Sequence, residues 1–500
     1  MQVVLSVDPS DPRTLQRQLF DQIRDMILDN RLRSGDHVPA SRALSEQLGV
    51  SRNTVILAYE QLLSEGYIES RPNVGTFVSP NLPERVMTAG GHAAEIGGQR
   101  ANDNYDDAHV QPCGVRAQTV ISPNRGRLDF DFWVGRTDAA TFPANEWRRI
   151  LEAKVRYGGA RLAEYQDPQG LPELRQAIAD HIGPARGVSA DPEHIVVVNG
   201  SQDGLSVIAR LLGGIVTTFV HEDPCYQGAR FLFESVGFTM MPVRVDNDGI
   251  DIDRLPQTRR TLLYVTPSHQ YPLGVTLSLE RRLRLLEWAA QTDSYIIEDD
   301  YDGDFRYEGT PLTALRGLDR CGRVLYLGTF SKSLAAGLRL GFVVAPPQLA
   351  RGLREWKALV SNGAPWLEQA AMAEFMNGGG FMRHLRRIRA VYKTRRDIVA
   401  GALTQSFAGG EVKGLRGGMH LALRVPGRFG PATAIEEDAA SHGIGVYTPG
   451  HGGAFITPGN PRARDTLLFG YAALPDKSIR AAMARLAAIA AKRERITVNG

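Results

Sequence analysis

Five hundred residues exceed what one hydrophobic core usually organises, so two or more domains are expected. The 43% hydrophobic and 23% charged fractions are ordinary for a soluble globular protein, and a net charge of +3 names no partner. No run of eighteen apolar residues appears, so no membrane span is expected, and the opening "MQVVLSVDPSDPR" lacks the pattern of a signal peptide. Cys113, Cys225 and Cys321 are odd in number and widely spaced, which suits neither a disulfide framework nor a metal cluster. A reducing bacterial cytoplasm is the expected location.

The chain opens on helical periodicity. "TLQRQLFDQIRDMILDNRL" puts Leu15, Leu19, Ile23, Met26 and Ile27 on one face. After "SGD", Ser41 can cap a short helix ending near Leu48. Gly49 then turns the chain, and Ser51 can cap the next helix, whose Val55, Ala58 and Leu62 face inward. "GYIESRPNVGTFV" offers two short strands, a wing. In such a motif the second helix enters the major groove by its N-terminal end, here Ser51, Arg52, Asn53 and Thr54. Arg can read guanine and Asn adenine by paired hydrogen bonds. Arg42 is placed for a phosphate or base edge, and Gly75 would let the wing backbone approach the minor groove. Residues 1–80 carry eight arginines, no lysine and ten acids. Attraction to phosphate must therefore come from local clustering, and a plain helical packing domain with solvated polar groups is the alternative.

Residues 81–127 have few large apolar side chains and no clean period, which reads as a flexible linker. From Leu128 to about residue 490, short apolar runs alternate with longer helical patterns. That is the signature of an α/β domain with a mostly parallel sheet. Four strands end in polar clusters: "NGSQDG", "TPSHQYPLG", "EDDYDGDF" and "GTFSK". Ligands of open parallel sheets bind beyond the carboxyl ends of the strands, so the four can meet.

A lysine amine among them, Lys332, can form a Schiff base with an aldehyde. Pyridoxal 5'-phosphate has an aldehyde, a phosphate, a phenolic oxygen and a ring nitrogen, each needing a partner. The N–H groups of Gly200, Ser201 and Gln202 at a helix start suit the phosphate, with Ser331 and Arg339 adding a hydroxyl and a positive fork. Asp299 can keep the ring nitrogen protonated. Tyr301 can reach the phenolic oxygen, and Tyr226 can stack on the ring. Any one cluster alone would be a solvated turn or a plain helix cap; their order along the chain carries the expectation.

Two resemblances sharpen this. "SRALSEQLGVSRNTVILAYEQLLSEGYIESRPNVGTFV" resembles the winged helix-turn-helix of GntR-type regulators. "YQDPQGLPELRQAIADHI", "NGSQDGL", "TPSHQYPLG", "EDDYDGDFRY", "GTFSKSLAAGLRLGF" and "GGMH" resemble a fold-type I, class I aminotransferase. Together they resemble the MocR family of bacterial regulators. The resemblance implies operator DNA as partner, a head-to-tail homodimer, and a small amine, an amino acid or the cofactor itself as effector. By position it makes Lys332 the cofactor lysine, Asp299 the ring-nitrogen partner, Tyr301 the phenolic-oxygen contact, Arg339 a phosphate ligand and Tyr226 the stacking residue. Tyr165 matches a tyrosine that reaches the partner subunit's phosphate. Tyr271, with His269 and Gln270 beside it, stands where aminotransferases usually have Asn. Leu468 stands where an arginine usually grips the substrate carboxylate, and Gly228 where γ-aminobutyrate-sensing members have an arginine. Arg136 is the substitute candidate for effector binding. A working aminotransferase with a DNA-binding head, and a body that serves only as a dimerisation scaffold, are the alternatives.

Overall fold

The computed structural model describes residues 5–8, 10–71, 74–80, 82, 115–309 and 312–499. The chain divides into two compact units, Met1–Pro112 and Cys113–Gly500. The expected linker lies outside the described residues except for 82 and 115–127.

In the head, α1 (Leu15–Leu28) starts where the Thr14 hydroxyl accepts from the Arg17 N–H, and it buries Leu19, Phe20, Ile23, Met26 and Ile27. α2 (Ser41–Leu48) ends at Gly49, in the left-handed region at φ 65°. Ser41 is the first helical residue and not the cap; Ala40 holds that place without a side-chain bond. α3 (Arg52–Ser64) is capped as expected: Ser51 Oγ accepts from the Thr54 N–H at 3.1 Å. Val55, Ala58, Tyr59 and Leu62 face the α1 stripe in one core. β1 (Ile68–Arg71) and β2 (Gly75–Val78) pair antiparallel as the wing, Ile68 opposite Val78.

The body begins with β3 (Phe130–Asp131), which pairs parallel with Ile444–Gly445. The main sheet takes β4 (Ile195–Val198), β5 (Thr218–Asp223), β7 (Thr239–Asp246), β8 (Gly249–Ile250), β9 (Thr261–Val265), β10 (Tyr295–Asp299), β11 (Val324–Thr329) and β12 (Gly341–Val344), in the order β4-β12-β11-β10-β9-β5-β7-β8. A separate short strand, β6 (Cys225–Tyr226), pairs with Ala454–Phe455. β12 runs antiparallel to both its neighbours, so β4, β9, β10 and β11 all point one way.

β4, β9, β11 and β12 are nearly continuous apolar runs, as strands buried on both faces are. Alternation then sorts side chains to opposite sides. Leu262 and Tyr264 of β9, with Ile297 of β10, join the core under the helices Ser201–Leu212 and Pro347–Ser361. Leu263, Val265 and Ile296 join the core with Leu285 and Trp288 of the helix Leu279–Gln291. The 27-residue helix Gly380–Ser406 leads to a smaller antiparallel sheet of Glu411–Lys413, His420–Arg424 and Thr466–Gly470.

Part of the stretch expected to be linker lies on this body. Ser122 Oγ is 3.0 Å from Tyr447 Oη, and Gln118 accepts from Tyr226 Oη at 2.8 Å. Side-chain hydrogen bonds hold these residues, which apolar periodicity does not register.

Candidate functional site

In the head, α3 exposes Arg52 and Asn53 at its first turn, and Thr54 is half-buried. The Ser51 hydroxyl is spent on Thr54, 2.8 Å from Thr54 Oγ1. Arg42 is 81% exposed and bonds Glu46 one helical turn on, at 3.2 Å. Gly75 has a packing reason of its own: a Cβ there would lie 2.4 Å from the His37 imidazole. The space beside the wing backbone at that point belongs to His37.

In the body, the strand ends bring the expected cluster together. Lys332 follows β11 in a single π-helical turn, Ser331–Ala335. Its Nζ donates to the Gly135 carbonyl at 2.8 Å. Burial pulls the Lys332 ammonium below its ordinary value, against the opposing pull of Asp302 and Asp299. The neutral amine is the nucleophilic form, so this environment favours condensation with an aldehyde.

Asp299 and Asp300 are adjacent in sequence but face opposite sides of the sheet. Asp299 shares the side of Tyr264, whose hydroxyl donates to Oδ2 at 2.7 Å. Its Oδ1 is buried with no partner among the described residues. Burial pushes the carboxyl up to about 7. Asp300 is committed elsewhere: Arg186 Nε lies 2.6 Å away and the Tyr326 hydroxyl donates to it at 2.6 Å.

Tyr301 Oη donates to the His269 carbonyl at 2.9 Å and lies 3.2 Å from His269 Nδ1. That nitrogen is 2.7 Å from Asp302 Oδ2, so a carboxylate orients the imidazole beside the tyrosine. His269, Asp302 and His420 place possible metal-ligand atoms within 4.8 Å of one another. The short His269–Asp302 bond and the His420–Pro272 carbonyl contact at 2.9 Å describe a hydrogen-bonded arrangement. Gln270 clamps its loop, donating to the Pro224 carbonyl at 2.8 Å and accepting from the Leu273 N–H at 3.0 Å. Tyr271 Oη donates to the Gly452 carbonyl.

At the other rim, Gly200 precedes the helix Ser201–Leu212 with φ 85°, a conformation that favours glycine. A Cβ there would meet the Arg339 guanidinium at 2.9 Å. Arg339 itself sits at φ 52°, a left-handed conformation unusual for arginine, and donates to the Asn199 carbonyl at 2.9 Å. The first-turn N–H groups at Ser201 and Gln202 have no intrahelical acceptors, as at any helix start. The Gln202 side chain turns to the Gly228 carbonyl at 3.0 Å, and its Oε1 is 3.4 Å from Tyr226 Oη. Ser331 is buried, with its N–H on Thr329 Oγ1 at 3.2 Å.

Three features bear on the effector. Leu468 is fully buried beside Val134 and Ala422, with Tyr271 packed against them. That wall is apolar where an arginine would hold a carboxylate. A Cβ at Gly228 would fall 2.2 Å from Gln118 Oε1 and 2.5 Å from Tyr226 Oη, so a side chain there would have to displace both. Arg136 follows Gly135, the acceptor for Lys332, but its guanidinium lies 3.1 Å from Asp131. Tyr165 is 89% exposed and enters none of the cluster's hydrogen bonds.

Gln118, Gly135, Tyr264 and Asp302 also hydrogen-bond members of this cluster, and the sequence motifs do not single them out. Tyr264 and Asp299 could have been paired from strand alternation; Gln118 and Gly135 reach the site only through the fold.

A profile of the aminotransferase class I and II family matches residues 137–441, and one of bacterial regulatory proteins of the gntR family matches residues 15–78. The chain is 36% identical over 486 residues to the probable rhizopine catabolism regulatory protein MocR of Rhizobium meliloti, covering 96% of this chain and 94% of that one. It is 31% identical over 483 residues to the HTH-type pyridoxine biosynthesis transcriptional regulator PdxR of Corynebacterium glutamicum, covering 96% and 97%. Among solved structures, the multiple substrate aminotransferase of Thermococcus profundus matches with a TM-score of 0.64 at 28% identity, over 73% of this chain and 92% of that one. A gntR-type head on an aminotransferase class I and II body, matched almost end to end by transcriptional regulators, places this chain in the MocR-type family of GntR-superfamily regulators.

Proposed function

We propose that this protein is a one-component transcriptional regulator whose head binds operator DNA and whose body holds pyridoxal 5'-phosphate and senses a small amine, an amino acid or the cofactor itself. The observation that carries the cofactor reading is the unpartnered Asp299 Oδ1, buried on the same side of the sheet as Tyr264 and close enough to Lys332 for each to act on the other's charge. A ring N–H is a donor such an oxygen lacks, so the residues fit the group. Lys332 would carry it, Asp299 would take the ring nitrogen, and Tyr301 the phenolic oxygen. Arg339 and the Gly200–Gln202 helix start would take the phosphate, and Tyr226 would cover the ring. When bound, the group supplies an aldehyde carbon for an amine and a ring that accepts electron density.

The apolar wall at Leu468 favours sensing over turnover, because an α-carboxylate finds no fixed guanidinium there. Arg136 is the cation best placed to take that part if its bond to Asp131 exchanges. A head-to-tail homodimer is part of this reading. It gives the exposed Tyr165 a destination on a second chain, and paired heads suit paired half-sites. An effector changes DNA affinity only through unequal affinity for two dimer states.

The test is a spectral titration of the purified protein against amines and amino acids, with operator binding followed in parallel. A compound that shifts both the visible spectrum and operator affinity supports sensing. Sustained release of a keto acid would instead favour an aminotransferase that carries a DNA-binding head.

A further inference from the structure

Away from the strand-end cluster, a cavity of roughly 580 Å³ opens between the helix Pro172–Arg186, the loop Gly303–Gly309 and the start of the helix Gly380–Ser406. One side is apolar, with Ala177, Met376, Phe381 and Met382. The other carries three arginines, two of them committed. Arg186 forms a two-point ion pair with Asp300. Arg389 donates to the Asp304 carbonyl, and the Asp304 carboxylate also takes His181 at 3.0 Å.

Arg306 is different. It enters no hydrogen bond or ion pair among the described residues, and its Nε is buried without an acceptor. Burial, with Arg416 and Arg186 adding repulsion, pulls its guanidinium below the ordinary value. Glu308, the acid that acts in the opposite direction, lies 2.7 Å from Arg396. A guanidinium that lines a cavity and has no hydrogen bond or ion pair of its own can take an anionic partner there through its terminal nitrogens.

We propose that this cavity is a second ligand site, for a small carboxylate with an apolar or aromatic body, held by Arg306. The carboxylate would satisfy the planar guanidinium and offset its repulsion from Arg186 and Arg416. The body would cover Met376 and Met382, the latter 41% exposed. A bare anion would leave that apolar wall wet. The site does not depend on the cofactor reading, although its occupant would sit one ion pair, Arg186–Asp300, from the end of β10.

The test is calorimetric titration of the full, cofactor-loaded chain with phenylacetate, phenylacetamide and inorganic phosphate. A ligand of so few atoms makes few contacts to offset the cost of association, which puts the expected phenylacetate Kd in the millimolar range, at one per chain. The neutral amide and phosphate should each bind at least roughly tenfold more weakly, since each lacks one half of the recognition. Arg306→Met should lose about the same factor while keeping the visible spectrum of the parent, which reports an intact body. Met382→Trp, at a position 41% exposed, should also weaken binding by filling the cavity. Lys332→Ala should bind phenylacetate as the parent does. The proposal is overturned by absence of saturable binding, by equal affinity in Arg306→Met, by phosphate binding as tightly as phenylacetate, or by loss of binding in Lys332→Ala.

Discussion

Lys332 and Asp299 show how neighbours decide the chemistry of single residues. Burial favours the neutral form of each, so the pair suits an uncharged amine and a carboxyl that waits for a donor. Lys332→Ala should abolish the visible absorption band and its reduction by borohydride, as spectra of the purified variant will show. Asp299 makes a prediction about pH. Its carboxyl titrates near 7 in the fold against 3.8 as the ordinary value. Across that window the folded state holds the extra proton, so this residue makes stability fall as pH rises from about 4 to 7, with no further loss above. Asp299→Asn lacks that proton. In cofactor-stripped protein, the melting temperature of the variant relative to the parent should rise by a few degrees between pH 4 and 7, then level off. A difference that stays flat or shrinks would show that Asp299 is charged throughout. Alternation along β10 also explains why Asp300 is no substitute: it faces the other side of the sheet, onto Arg186.

At the scale of the element, α3 joins stability and recognition at one end. Ser51 caps the helix and Arg52, the next residue, projects free into solvent. A paired arginine–guanine contact contributes about 1–3 kcal/mol of discrimination. Arg52→Ala should therefore weaken operator binding about tenfold or more, by roughly 1.4 kcal/mol per decade, with the visible spectrum unchanged. A gel-shift titration of parent and variant on one operator checks this, and equal affinities would move base reading elsewhere. Ser51→Ala acts differently. Losing the bond to the Thr54 N–H should cost the head about 1 kcal/mol of stability, read by denaturant unfolding of the head, and weaken all DNA sequences alike.

At the scale of the molecule, the proposed dimer gives a complementation test. Tyr165 is exposed on one chain, so its proposed work lies in the other chain's site. Tyr165→Ala alone should weaken cofactor binding, and Lys332→Ala alone should abolish the visible band. Mixed dimers of the two variants pair an intact Lys332 with an intact Tyr165 at one site in each dimer. Co-expression should then restore about half the parent absorbance per mixed dimer, on the premise of independent sites. Absorbance no higher than that of Tyr165→Ala dimers in the same proportion would place Tyr165 outside the partner's site.

The sequence by itself determined the two-part architecture, the winged head, the mostly parallel sheet and the family. Those follow from local signals: helical stripes such as Leu19–Ile23–Ile27, the Ser51 cap, and apolar runs that end in polar turns. It also brought Lys332, Asp299, Tyr301 and Arg339 into view, because each lies at or beside a strand end and strands of one sheet share an end. Only the tertiary structure decided what those residues touch. Gln118 came from a stretch without periodicity, and Gly135 from a turn nearly two hundred residues before the lysine it meets. Gly75 shows the same limit from the other side, since the imidazole that a Cβ there would meet is thirty-eight residues away in sequence. Side-chain hydrogen bonds and close approaches between distant segments leave no period in a sequence, because they depend on where the folded backbone places both ends.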